Sequence, residues 1–219
     1  MIEEIKRVAR QRLAAEGANL SLRAVARDMG MVSSALYRYF ASRDDLLTVL
    51  ILDGYNALGD AVEAADAAVT DRTRLRARWL SATRAVRDWA LANRAEYALL
   101  YGSPVPGYAA PQDTIAAAAR TPIVLAAILT DGYAAGIVTA AGFRRPASLP
   151  AAVQADLSRT RDQIAPGLPE ELLHAGLTCW LQLFGVLSFE LFGQLNNVID
   201  ARAEFFGQQM ELMADLMGI

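Results

Sequence analysis

His174 is the only histidine and Cys179 the only cysteine among 219 residues. A zinc site assembled from several His and Cys, or a His-x-x-x-His pair, is therefore beyond the reach of one chain. The two residues lie five apart, which is not one face of a helix, and their surroundings are apolar. Glu170-Glu171 and Asp44-Asp45 could be paired carboxylates for proton transfer. Each pair instead stands where a helix is predicted to begin, and acids are favoured there by the helix dipole. No phosphate-cradling glycine loop is present. The expectation is a chain with no catalytic residue, no metal ligand and no cofactor. The side chains that suit binding are concentrated in Ser21 to Leu47, SLRAVARDMGMVSSALYRYFASRDDLL, where Arg, Ser and Tyr alternate with regularly spaced apolar residues.

The elements that hold them can be read locally. Leu22, Val25, Ala26 and Met29 fall at i, i+3, i+4 and i+7, one face of a helix. Gly30 permits the left-handed backbone of a sharp turn. Ser33 or Ser34 can cap the next helix, with Ala35, Leu36, Tyr39 and Phe40 on its apolar side. Ser42 with Asp45 three residues on is a capping box in which Asp replaces Glu. Helix, tight turn, second helix is the arrangement that sets an exposed helix in a DNA major groove. Ahead of it, Ile2, Ile5, Val8, Ala9 and Leu13 make the inner face of a bracing helix that should stop near Gly17. Lys6, Arg7, Arg10 and Arg12 occupy its outside, as a solvated face or as phosphate contacts.

Composition agrees with a small DNA module on a larger body. Residues 1–52 hold eight Lys or Arg against six Asp or Glu, while the remainder holds thirteen against eighteen. A single cysteine forbids an intrachain disulfide. The charged start, MIEEIKRVAR, has no apolar signal core, so a cytoplasmic location is expected. The most apolar window, Gly176 to Gly193, is long enough to span a bilayer but contains Gln182 and Glu190. A carboxylate in lipid is costly, so a buried helix is expected and no membrane partner. No run of alternating β-branched residues occurs, and an all-α fold follows.

Beyond Leu47 the helical pattern continues to about Ala68, linking the module to the body. Leu75, Trp79, Ala82, Val86 and Trp89 stripe a further helix ending near Asn93, and Tyr97 to Tyr101 a short one. GSPVPGYAAP, Gly102 to Pro111, is a break. Thr121-Pro122 reads as a cap followed by Pro at the first helical position, opening a helix to about Gly142. Residues 143–150 are a connection, and Pro150 to Ile164 an outer helix. The penultimate helix, opened by Pro169, is apolar on two sides and so buried on two sides. In the last, Ile199, Ala203, Phe206, Met210, Met213 and Met217 form a heptad seam. Such a pair suits a four-helix dimer interface through Leu187, Leu191, Phe206, Met210 and Met213. The alternative is that both faces are core of one subunit.

Residues Ser21-Leu22, Val25-Ala26, Met29-Gly30, Ser33 to Phe40, Ser42-Arg43 and Leu46-Leu47 resemble the DNA-binding domain of TetR-family transcriptional regulators. The resemblance implies an N-terminal three-helix module, residues 1–48, and a C-terminal helical ligand-binding and dimerisation domain, residues 49–219. It implies base contacts from Ser33, Ser34 and Arg38 on the third helix, with Arg23 as a further reader. Of these only Arg can bond guanine bidentately, while Ser is unspecific. It implies phosphate contacts from Ser21, Tyr37, Tyr39 and Arg43, although Tyr39 could equally be a packing residue and Arg43 a solvated one. The stretch Tyr101 to Tyr108 and Trp180 to Gly193 resemble the ligand-binding half of one TetR subgroup. Some of its members carry Trp and then His-Gly, whereas this chain has Trp180, then Phe184 and Gly185.

The body is rich in rings for a helical bundle. Trp79, Trp89, Tyr97, Tyr101, Tyr133, Trp180 and Phe184, with His174 and Gln182 as polar groups, suit a mostly apolar pocket for a small apolar or aromatic effector. The predicted partners are thus double-stranded operator DNA, such an effector, and a second copy of the chain. By resemblance, the effector would release a homodimeric repressor from a palindromic operator; sequence does not separate repression from activation. The rival is a helical small-molecule carrier without DNA regulation, which leaves the first fifty residues unexplained.

Overall fold

Ser42 and Asp45 bond each other's backbone reciprocally, Ser42 N to Asp45 Oδ2 and Asp45 N to Ser42 Oγ, both at 3.0 Å. This capping box launches the longest helix of the chain, and the other elements can be placed around it. The computed structural model describes residues 1–16, 20–139 and 149–219. Among them it is all-helical, in the order α1 (Ile2–Glu16), α2 (Leu22–Asp28), α3 (Ser33–Leu36), α4 (Arg43–Ala67), α5 (Leu75–Ala92), α6 (Arg94–Tyr101), α7 (Thr114–Ala134), α8 (Ala151–Ile164), α9 (Glu170–Leu191) and α10 (Arg202–Met217). The expected stop at Gly17 and most of the expected connection at residues 143–150 lie outside the described residues.

The chain divides into two compact units, Met1–Leu58 with Trp89–Ala118, and Gly59–Asp88 with Ala119–Ile219. The first contains the helix-turn-helix. Ile5, Val8 and Leu13 of α1, Leu22 and Val25 of α2, Leu36, Phe40, and Leu46, Leu47 and Leu50 of α4 form one buried cluster. Gly30 has φ +66°, and a Cβ there would touch nothing, so the demand for glycine is conformational rather than steric. The Pro/Gly break after α6 also belongs to this unit. Val105 is in the same core, and the hydroxyls of Tyr108 and Thr48 hydrogen-bond at 3.0 Å.

Two local readings are corrected. The residue at the N-cap of α3 is Val32, so Ser33 and Ser34 stand inside its first turn. Pro122 is inside α7, not at its start. The Ala-rich run before it is already helical from Thr114, whose hydroxyl donates to the Pro111 carbonyl at 2.7 Å.

In the second unit the heptad seam of α10 turns inward. Met210 is fully buried and its carbonyl accepts the indole N–H of Trp79 at 2.8 Å. Phe206 is buried under the Arg87 guanidinium, 5.5 Å from the ring centroid. Arg87 in turn holds the buried Glu190 of α9 through bonds of 2.6 and 3.0 Å. By length and composition alone α7 and α9 could cross a membrane. Glu190 lies within α9, and its buried carboxylate is satisfied by an arginine of the chain itself.

Candidate DNA-reading face and ligand cavity

On the helix-turn-helix the polar side chains named above point largely to solvent. Arg23, Ser34 and Arg38 are exposed and Ser33 is half-buried. Tyr37 and Tyr39 keep 47% and 40% of their surface, which places both rings outside the core. Ser21, Arg23, Tyr37 and Arg43 are brought together along one surface groove, with Ser42 beside them. Ser33, Ser34, Arg38 and Tyr39 are not on its wall. Ser21 occupies the N-cap position of α2 but makes no side-chain cap bond. Arg43 Nε donates to the Leu20 carbonyl at 2.9 Å, so this arginine pins the segment that enters α2.

The four bases of α1 are all engaged in ion pairs. Lys6 bonds Glu3 at 2.6 Å and Asp53 at 2.9 Å, and Arg10 reaches the same Asp53 at 2.7 Å. Arg7 pairs with Glu4 at 2.6 Å. Arg12 forks onto Asp28 of α2 at 2.6 and 2.9 Å, and this bond holds the Asp28 carboxyl below its ordinary range. Lys6, Arg10 and Arg12 brace the module, a role invisible in sequence because their carboxylates arrive from other helices, Asp53 of α4, Glu96 of α6 and Asp28 of α2.

The second unit contains an apolar cavity of about 210 Å³. Its walls are Pro122, Leu125, Ala126 and Leu129 of α7, Leu173, Gly176, Leu177 and Trp180 of α9, and Trp79 of α5, closed by Thr160 and Ile164 of α8, Leu168 and Met217. Of the nine residues expected to line a pocket, Trp79 and Trp180 do so. Phe184 packs its ring on Trp180 at 5.6 Å but is not on the wall. Gln182 donates to Gln209 at 3.2 Å, His174 is half-buried off the wall, and Tyr133 is exposed. Trp89, Tyr97 and Tyr101 belong to the other unit. There Tyr101 packs on Tyr97 at 5.2 Å and edge-on to Tyr55 at 6.1 Å, and burial pushes its hydroxyl pKa up. The aliphatic wall was missed because its spacing on α7 and α9 is that of any core stripe.

The expected dimer residues sit deep in the subunit. Leu187 and Met210 have no exposed surface and Phe206 has 4%, so they are committed to their own chain, while Leu191 and Met213 are half-buried. The apolar side chains that α9 and α10 leave exposed are others: Leu181, Phe189 and, just past the end of α9, Phe192, with Leu212 and Leu216 on α10.

Ion pairs frame the cavity helix α7. Fully buried Arg78 of α5 bonds Asp66 of α4 and Asp131 of α7, each at 2.8 Å, and Arg72 also bonds Asp66. Burial works against the Asp66 charge, but these two arginines outweigh it and lower its pKa. Arg120 of α7 spans Glu63 and Asp60 of α4 at 2.7 and 2.5 Å. Burial pushes the Cys179 thiol up to about 12, which removes it as a nucleophile near neutral pH. Among the described residues no group of three His, Cys, Asp or Glu is placed to hold a metal.

Comparison with known proteins agrees with this division of labour. Residues 5–50 match the model for bacterial regulatory proteins of the tetR family, and residues 79–213 that for the tetracyclin repressor-like C-terminal domain. The HTH-type transcriptional regulator Rv1816 of Mycobacterium tuberculosis is 42% identical over 190 residues, covering 84% of this chain and 77% of the relative. Its counterpart Mb1846 of Mycobacterium bovis matches equally. The solved regulatory protein SCO4313 is 34% identical, with TM-score 0.78 over 98% of this chain and 95% of that one. A tetR-family regulatory protein from Rhodococcus RHA1, 18% identical with TM-score 0.67 over 99% and 96% of the two chains, shares the fold. With a reading module at one end and a helical domain of matching type over most of the rest, this chain belongs to the TetR family of DNA-binding transcriptional regulators.

Proposed function

We propose that this regulator is a homodimeric repressor that binds a palindromic operator in the cytoplasm and is released by a small, mostly apolar molecule. Residues 1–48 are its reading domain and residues 49–219 its ligand-binding and dimerisation domain. The observation that carries the reading is the apolar cavity walled by α7 and α9. Arg78 and Arg120 tie α7 to α4, the helix whose first turn carries the capping box and Arg43. A ligand that alters α7 has a bonded route to α4. It must bind the released form better than the DNA-bound form, since only differential affinity shifts the equilibrium.

Arg38 and Arg23 read bases with Ser33 and Ser34. Ser21, Tyr37, Tyr39 and Arg43 hold phosphate. A second copy covers the outward apolar stripes of α9 and α10, around Leu181, Phe189, Leu212 and Leu216, because the inner seam is already used by the subunit's own core.

Native mass spectrometry and footprinting on the chain's own upstream DNA test this. The expected result is a dimer mass and two protected half-sites about one helical turn, ~34–36 Å, apart or a multiple of that. A single unsymmetric half-site would refute the dimer reading. Absence of any gel shift at low salt, with folded dimer present, would favour the carrier.

A further inference from the structure

Two tryptophans face the apolar cavity, and their indole N–H groups differ. Trp79 Nε1 donates to the Met210 carbonyl at 2.8 Å. Trp180 Nε1 is buried and, among the described residues, meets no acceptor. Buried polar groups are overwhelmingly hydrogen-bonded, and each exception asks for a reason. Here the remaining wall explains little: of its thirteen residues none is charged, and besides the two indoles only Thr160 carries a polar side chain. A donor left unmade on a side chain of the cavity wall is a partner for an acceptor that arrives with a ligand, reached by a turn of the indole ring.

Resting on the ligand-release reading above, we propose that the cavity takes a neutral molecule with a compact apolar body and one hydrogen-bond acceptor, a ketone, ester or amide oxygen, and that Trp180 orients it by donating to that oxygen. The size is consistent: an apolar cavity of about 150 Å³ holds a benzene, and this one, at about 210 Å³, has room for a ring with a small substituent. A carboxylate is excluded because its charge would lose water and find no cation on the wall. A pure hydrocarbon would fill the space and leave the N–H unmade.

Three probes of nearly equal shape separate these cases: acetophenone, α-methylstyrene, in which a methylene replaces the carbonyl oxygen, and benzoate. Titration calorimetry on the full-length protein is expected to rank acetophenone about tenfold tighter than α-methylstyrene, the worth of one buried hydrogen bond, with benzoate weakest. Trp180→Phe keeps a ring and removes the donor. It is expected to weaken acetophenone about tenfold more than it changes α-methylstyrene, so that the ketone falls to or below the hydrocarbon, its oxygen then being desolvated without a donor. Ala126→Phe fills the cavity from α7 and is expected to abolish binding of all probes.

Equal affinity for ketone and hydrocarbon, tightest binding of benzoate, or a Trp180→Phe variant that weakens both neutral probes alike would each overturn the assignment while leaving the ligand-release reading standing. Acetophenone binding that survives Ala126→Phe would place it elsewhere and also overturn the assignment. If none of the probes binds the wild type, the assignment is overturned, and a gel shift on the same sample shows that DNA binding stands apart from it.

Discussion

Arg38 and Arg78 carry the same guanidinium and end in opposite circumstances. Arg38 stands exposed beyond α3, on the face proposed above to meet DNA, whereas Arg78 is wholly buried between two carboxylates from different helices. The first is held ready for a partner that comes from outside; the second has spent its donors on its own chain. Arg43 stands between them, half-buried, with Nε on the Leu20 carbonyl while its side chain lines the surface groove. An arginine count therefore says little about DNA binding here. What separates the classes is whether a carboxylate lies within reach once the helices pack.

The largest effect that would test this contrast is on stability. Arg78→Met leaves Asp66 buried with one arginine fewer, and the expected loss is about 3–5 kcal/mol in urea unfolding. Arg38→Ala should stay within about 0.5 kcal/mol of wild type in the same measurement. A mild Arg78 variant or an unstable Arg38 variant would erase the distinction.

Next in size is base discrimination. Arg38→Ala should cost about 1–3 kcal/mol at one operator position and relax preference there. Competition among operator variants reads this out, and an unchanged ranking would show that Arg38 does not read. Ser42→Ala removes one half of the capping box and should lower stability by about 1 kcal/mol. Arg43→Ala should weaken binding to all sequences alike and reduce the salt slope by about one. A slope equal to wild type would leave Arg43 as a brace for the entry to α2 and nothing more.

The smallest expected effect is on acid stability. The folded pKa of Asp66 is lowered, so its contribution is complete above the unfolded value of about 3.9 and is lost as pH falls through the folded one. Urea unfolding from neutral pH downward should show this loss, and Arg78→Met should flatten it.

The reading module was the most legible part because its determinants are local. Gly30, the stripe of Leu22, Val25 and Ala26, and the reciprocal Ser42–Asp45 bonds each involve residues within a few positions, and all three are found as spaced. The bounds of α4 and α5 follow equally well from periodicity and the end of α6 from the Pro/Gly break, whereas α6 opens at Arg94, before the expected Tyr97. Pro122 misled because a proline is a breaker on average, while the alanines before it were already committed to helix. The ring-rich pocket was only partly legible. Trp79 and Trp180 meet at the cavity, but Tyr97 and Tyr101 pack with Tyr55 in the other unit.

The sequence by itself determined the all-helical class, the helix-turn-helix and its family, since periodicity, capping and turn chemistry act over three or four residues and survive any packing. Only the tertiary structure decided which of two apolar faces on α9 and α10 became core. It also decided which arginines became struts and which indole was left without an acceptor. Those outcomes depend on side chains 50 to more than 100 residues apart, such as Arg78 with Asp131 or Trp79 with Met210. A buried face and an interface face carry the same residues at the same spacing, and only the neighbours that arrive on folding tell them apart.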